Sequence, residues 1–157
     1  MSDRQSVLDA ELLNLVRGQL IGHGTYRKVY LYLPDTSLVI KEEATDYKFD
    51  NVTEWEVWRE LQNTKYADWL ARTLTISPNG TVIMQERTSP VPEAMLPKMI
   101  PSIFADTKAE NWGMVVRNGK KLIVCHDYAH SRLINVPKKI RLVPAKWHDP
   151  SYKGWAK

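Results

Sequence analysis

Leu20-Ile21-Gly22-His23-Gly24-Thr25-Tyr26-Arg27-Lys28-Val29-Tyr30, followed by Leu38-Val39-Ile40-Lys41, decides the fold of this chain. Apolar residues on both sides of a glycine pair predict two strands, at 19–23 and 28–33, around a turn. Pro34-Asp35-Thr36-Ser37 is the next turn, and Leu38 to Lys41 is a third strand. Upstream, Ser6 to Val16 reads as an amphipathic helix. Ser6 and Asp9 form a capping box, Leu8, Leu12, Leu15 and Val16 share a face, and Gly18 is the stop. Downstream, residues 50–63 read as a helix capped by Asp50 or Asn51, with Val52, Trp55, Val57, Trp58 and Leu61 apolar. Trp69 to Ile76 and Thr81 to Met84 form a strand pair joined by Ser77-Pro78-Asn79-Gly80. The expected order is therefore helix, three strands, helix, two strands.

The second half is more broken. Pro90, Pro92, Pro97 and Pro101 argue against a long uninterrupted helix between Thr88 and Pro101, leaving a short one over Glu93 to Ile100, kinked or ended near Pro97. Met114 to Arg117 and Lys121 to Cys125 flank Asn118-Gly119, a strong hairpin signal. From His130 onward seven Lys/Arg stand against one acidic residue. This stretch reads as an irregular basic tail with one strand at Ile140–Val143.

Composition restricts the function class. The 157 residues are 43% hydrophobic and 25% charged, as in an ordinary globular domain. A net charge of +4 favours anionic partners without specifying nucleic acid. The single cysteine, Cys125, lies in an apolar run, so no internal disulfide framework is possible and a cytoplasmic setting is expected. The polar N-terminus has no signal-peptide pattern, and no apolar stretch approaches the roughly 18 residues of a membrane span. His23, His126, His130 and His148 lack zinc-site spacing. Trp112, Trp147 and Trp155 lie near basic residues, where they suit base stacking or core packing.

Several segments carry phosphate chemistry when taken together. Gly22 and Gly24 let backbone N–H groups approach an anion, and Lys41 ends an apolar strand. Asp106, Lys108 and Asn111 occupy Asp106-Thr107-Lys108-Ala109-Glu110-Asn111, and Asp127 follows the run Leu122 to Cys125. Aspartate and asparagine oxygens suit Mg²⁺.

This ordered set resembles the protein-kinase superfamily. Gly22, Gly24 and Val29 match the nucleotide loop, with Arg27 in place of its third glycine, where it faces or crowds a phosphate. The resemblance implies that Lys41 pairs the α- and β-phosphates of ATP and that a helix glutamate steadies it. Glu54, Glu56 and Glu60 are the candidates, and Glu54 fits best, since Glu56 and Glu60 fall off its face at about 100° per residue. Met84 is implied as the side chain behind the adenine, with backbone groups of Gln85, Glu86 and Arg87 on the base edge. Asp106 orients or deprotonates the acceptor hydroxyl, Lys108 steadies the γ-phosphate, and Asn111 and Asp127 hold Mg²⁺. Phe104 and Ala105 replace the usual His-Arg pair, so control by activation-loop phosphorylation is not expected. His126 is placed to tune Asp127.

The implied fold is α+β: an N-terminal helix over 1–18, a kinase-like small lobe of antiparallel sheet plus helix over 19–87, and a reduced large lobe over 88–157. Fewer than twenty residues separate the hinge-like segment from Asp106, and no A-P-E segment follows Asp127. Such compactness is similar to that of small kinase-like proteins of tailed phages, which act in the host cytoplasm. The resemblance implies a Ser/Thr phosphotransferase using ATP and Mg²⁺ on a protein substrate. Two alternatives compete with it. One is a kinase-like protein with little turnover that docks on a protein partner; the other is a nucleic-acid-binding protein acting through its basic tail.

Overall fold

Leu38–Glu43 forms strand β3, the centre of a five-stranded antiparallel sheet. Val39, Ile40 and Lys41 are all buried in succession, so both faces of this strand are covered. A continuous apolar run bounded by turns is the pattern such a strand requires. The computed structural model describes residues 3–24, 26–44, 48–104, 108–130 and 140–147, with side chains from residue 10 onward. Beside β3 lie β2 (Arg27–Tyr32) and then β1 (Arg17–His23) on one side, with β5 (Val82–Glu86) and then β4 (Thr73–Ile76) on the other. Helix α1 (Asp3–Val16) precedes the sheet, and helix α2 (Asp50–Leu61) lies between β3 and β4 in the chain. The described residues are therefore α+β, and none of their helices is long and apolar enough to cross a membrane.

Packing divides the chain into two units. One holds Met1–Val52 and Thr73–Arg87; the other holds Thr53–Arg72 and Thr88–Lys157. In the first, the sheet is wired at its turns. The Asp35 carboxylate accepts from the Ser37 amide at 3.0 Å and the Ser37 hydroxyl at 2.6 Å, which holds that carboxyl below the ordinary carboxylate range. Asn79 Oδ1 does the same between β4 and β5, accepting from Ser77 Oγ, Thr81 N and Thr81 Oγ1. Gly80, at φ 76°, completes that turn, and a Cβ there would lie 2.7 Å from Val52.

Helix α1 begins at Asp3 instead of Ser6, and Leu12 and Leu15 of its expected apolar face are exposed. The Ser6 and Asp9 side chains lie outside the described ones. Gly18 is not a helix stop. It sits inside β1, where a Cβ would approach the Leu31 carbonyl oxygen and Leu33 to 3.0 Å, so glycine permits close contact of β1 with β2.

The second unit is built around apolar and aromatic side chains. Val57, Leu61, Leu70, Ile100, Ile103, Phe104, Trp112, Cys125 and Tyr128 form its core. Trp112 is met edge-on by Phe104, Trp147 and Trp69, with ring centroids at 4.9, 5.3 and 6.4 Å. Such edge-to-face pairs add to plain area burial. The base-stacking role open to Trp112 and Trp147 is thus corrected: Trp112 is only 2% exposed, and the Trp147 indole N–H donates to Pro97 O at 2.9 Å.

Strands β7 (Trp112–Arg117) and β8 (Lys120–Cys125) form the expected hairpin, with Asn118 and Gly119 at φ 51° and 76°. Arg117 points back from it and donates to the carbonyls of Leu70 at 2.7 Å and Ala67 at 3.1 Å. Those carbonyls end a 3₁₀ turn, Lys65–Trp69, that Thr64 caps. The strand expected from Trp69 begins only at Thr73, since Trp69 closes this turn. The short helix expected over Glu93 to Ile100 is also corrected. Only Glu93–Met95 is a 3₁₀ turn, and Met99–Pro101 is strand β6, paired antiparallel with β9 (Leu142–Pro144). A proline at the end of a short edge strand loses no ladder bond, which is why Pro101 fits here. The tail residues 131–139 and 148–157 lie outside the described ones, Trp155 among them.

Candidate functional site

The candidate residues fall into two groups, one in each unit. In the first, antiparallel register places Gly22 opposite Val29, Val29 opposite Lys41, and Lys41 opposite Ile83. Directly opposed residues project to one side of a sheet, so this row puts the glycine turn, the valine and the lysine on one face. Lys41 is buried at 4% exposure, and an ammonium kept from water needs compensating charge or hydrogen bonds. Neither glycine of the turn is demanded by the chain itself. A Cβ at Gly24 would meet nothing within 4 Å, and one at Gly22 would sit 3.9 Å from Val29.

Arg27, at the third glycine position, neither faces nor crowds a phosphate. It is buried, and its Nη1 donates to Asn51 Oδ1 at 3.2 Å. The Asn51 amide donates in turn to the carbonyls of Lys41 at 3.1 Å and Thr81 at 2.9 Å. The Glu43 carboxylate accepts from the backbone N–H of Asn51 at 2.8 Å and of Asp50 at 3.3 Å. Glu43, reaching across from β3, thus meets the first amides of α2, while the Asn51 side chain is used elsewhere. A carboxylate at a helix N-terminus satisfies orphan donors and complements the helix dipole.

Met84 is corrected by the same register. It pairs with Ile40, on the face opposite Lys41, whereas Gln85 pairs with Val39 and shares the Lys41 face. Gln85 is fully buried, and its side-chain amide donates to Thr73 Oγ1 at 3.2 Å. Glu86 pairs with Leu38 at the end of β5, and the Arg87 N–H is used by the Ser37 carbonyl at 2.8 Å, so it is not available to a base edge.

In the second unit, Glu54 has no exposure, while Glu56 is exposed and lies 3.9 Å from Arg59 on the helix surface. Of the helix glutamates only Glu54 is held out of water. Asn111 closes a 3₁₀ turn, Ala109–Asn111, that leads into β7. Asp127 follows β8. Because Trp112 pairs with Cys125, both ends of the hairpin arrive together, and the His126 N–H donates to Asn111 O at 2.9 Å. The pairing thus brings Asn111 and Asp127 to one end of the hairpin. Lys108 is exposed at the start of the same turn. Asp106 lies outside the described residues.

Both ring nitrogens of His126 are engaged. Its Nε2 lies 2.8 Å from Glu110 O, and its Nδ1 lies 2.8 Å from Thr88 Oγ1. A carbonyl only accepts, so Nε2 carries the proton, and a neutral ring accepts at Nδ1 from the Thr88 hydroxyl. Thr88 is pressed onto β7 at Gly113, where a Cβ would fall 2.2 Å from the threonine oxygen. Ser89 and Met114 exchange backbone hydrogen bonds beside it. The imidazole therefore locks the segment after β5 to the loop that carries Asn111. A histidine beside an aspartate gives no sign in sequence of which way its ring turns, so this lock was not legible there.

Among the described residues no three His, Cys, Asp or Glu side chains cluster as a metal site. A Mg²⁺ held mainly by phosphate oxygens needs only one or two protein ligands, which Asn111 and Asp127 suit by their chemistry. This chain matches no family model, and neither a curated protein nor a solved structure is significantly similar to it.

Proposed function

We propose that this protein is a minimal kinase-like phosphotransferase that binds ATP with Mg²⁺ and transfers the γ-phosphoryl group to a hydroxyl, with Ser or Thr of a protein as the acceptor class. The observation that carries it is the row Gly22, Val29 and buried Lys41 across β1, β2 and β3. A glycine turn that its own fold does not require, in line with a buried lysine, suits a phosphate chain. In the first unit Lys41 is assigned to the α- and β-phosphates; for the second unit the kinase-like pattern implies Lys108 for the γ-phosphate and Asn111 and Asp127 for the metal. ATP supplies the phosphoryl group, and Mg²⁺ neutralises charge on it. Asp106 orients the acceptor hydroxyl and receives its proton as the acceptor oxygen bonds to the γ-phosphorus and the bond to the bridging oxygen of the departing ADP breaks.

Thermal unfolding with ATP alone, with Mg²⁺ alone and with both tests this. At about 100 times its dissociation constant the nucleotide adds roughly 2.7 kcal/mol. Lys41→Ala and Asp127→Ala are expected to remove most of that gain, and Asp106→Ala to abolish transfer of labelled phosphate. No stabilisation under any condition would defeat the proposal. Stabilisation without transfer would leave a kinase-like binding protein.

A further inference from the structure

We infer that Arg27, acting through Asn51, is a positioning residue for the phosphate-binding turn; this rests on the nucleotide role proposed above. The turn holding Gly24 is closed by the Gly24 N–H donating to Arg27 O at 2.8 Å, so the backbone of Arg27 is one wall of it. The Arg27 side chain leaves the turn and enters the interior, where it meets Asn51. Asn51 is fully buried and uses every polar group of its side chain: Oδ1 for Arg27, and both amide hydrogens for Lys41 O and Thr81 O. Its backbone N–H goes to Glu43, which lies directly opposite Arg27 across the β2–β3 pair.

One amide thus holds both the strand position of Lys41 and, through Arg27, the wall of the glycine turn. Hydrogen bonds are directional and short-ranged, so this connection ties the Arg27 wall of the turn to the strand that carries the lysine. A flexible glycine turn would otherwise lose conformational freedom each time a phosphate bound. Burial of a guanidinium is costly unless its donors are met, and a turn that needed only closure has no need of one.

The experiment compares ATP–Mg²⁺ dissociation constants, well below the melting temperature, for the wild-type chain and for Lys41→Ala, Arg27→Met, Arg27→Gln and Arg27→Lys. Arg27→Met keeps the apolar stem and removes the hydrogen bond. It is expected to weaken binding by roughly tenfold to a hundredfold, in line with the effect of ångström-scale misplacement. Arg27→Lys is expected to restore most of the affinity. If Arg27→Met does not fold, Arg27→Gln, with a shorter polar head, carries the same expectation. A variant that melts at lower temperature yet binds ATP–Mg²⁺ as tightly as the wild type shows a merely structural arginine and overturns the inference. Failure of the wild type to bind, or equal binding by Lys41→Ala, defeats the nucleotide role itself, and the inference with it, in a different arm of the same measurement.

Discussion

The two units are held together by different physics. The first keeps Arg27, Lys41, Glu43, Asp50 and Asn51 buried and satisfies many of their polar atoms through a hydrogen-bonded cluster. The second surrounds Trp112 with aromatic rings and aliphatic side chains. A polar cluster fixes positions, because each bond has a direction and a length, and an unmet buried group is expensive. An aromatic core supplies more favourable burial but tolerates shape-preserving replacement. The unit that positions the glycine turn and Lys41 is the one built from directional contacts.

The largest break in this contrast is expected from Trp112→Ala. Loss of a buried tryptophan costs about 3–5 kcal/mol. Denaturant unfolding should show the drop, and Trp112→Phe should recover much of it; a cost below about 1 kcal/mol would show that the ring is not central. Next comes Asn51→Ala, which removes the acceptor of Arg27 Nη1 and the side-chain donor to the Lys41 and Thr81 carbonyls, the Thr81 oxygen keeping the Glu43 N–H at 2.8 Å. About 2–3 kcal/mol is expected, since each buried group left unpaired costs roughly 1–3 kcal/mol and partial relaxation recovers some of it. Asn51→Leu, which keeps the branched shape, should fare no better, because the first unit depends on hydrogen bonds where the second depends on filled space.

Two glycines sharpen the comparison within the second unit. At Gly113 a methyl group collides with Thr88, and Gly113→Ala is expected to cost about 1–3 kcal/mol and to release the His126–Thr88 contact. That release is visible as a change in the ring-nitrogen chemical shifts of His126. Gly119→Ala meets no neighbour within 4 Å but holds φ at 76°, so backbone strain of roughly 1 kcal/mol is its whole cost.

The smallest effect is at Asp35. Its carboxyl is held low by the Ser37 hydroxyl and then by the Ser37 amide, so the folded state favours the ionised form. The stabilising contribution is present above the ordinary carboxylate range and is lost as pH falls through the lowered value. Ser37→Ala should move the Asp35 titration, followed by NMR, back toward ordinary carboxylates; an unmoved titration would show that the amide alone sets it.

Local chemistry was legible in the sequence where it is decided locally. Asn118-Gly119 and Ser77 to Gly80 announce their turns because positive φ and side-chain capping are properties of those residues. Strand order over 19–87 followed from alternating apolar runs and breakers. What escaped notice depends on partners far along the chain. Met84 and Gln85 differ by one position, and a shift of one residue turns a side chain to the other face of the sheet, a matter that only pairing with Val39 and Ile40 resolves. Glu43 lies beyond the strand expected over Leu38 to Lys41 and carries no signal until α2 brings its first amides against it. Arg27 reads as a side chain facing or crowding a phosphate until Asn51, 24 residues later, receives it. Strand β6 has no signal of its own, since its partner β9 lies about forty residues on and supplies the pairing.

Cys125 is the chain's one sulfhydryl, and it sits at 1% exposure with its hydrogen directed to Asp127 O at 3.2 Å. An alkylating reagent reaches it only when the surrounding aromatic packing opens. The rate of modification in the native protein is therefore a built-in clock for breathing of the second unit, read from a single atom without an added label.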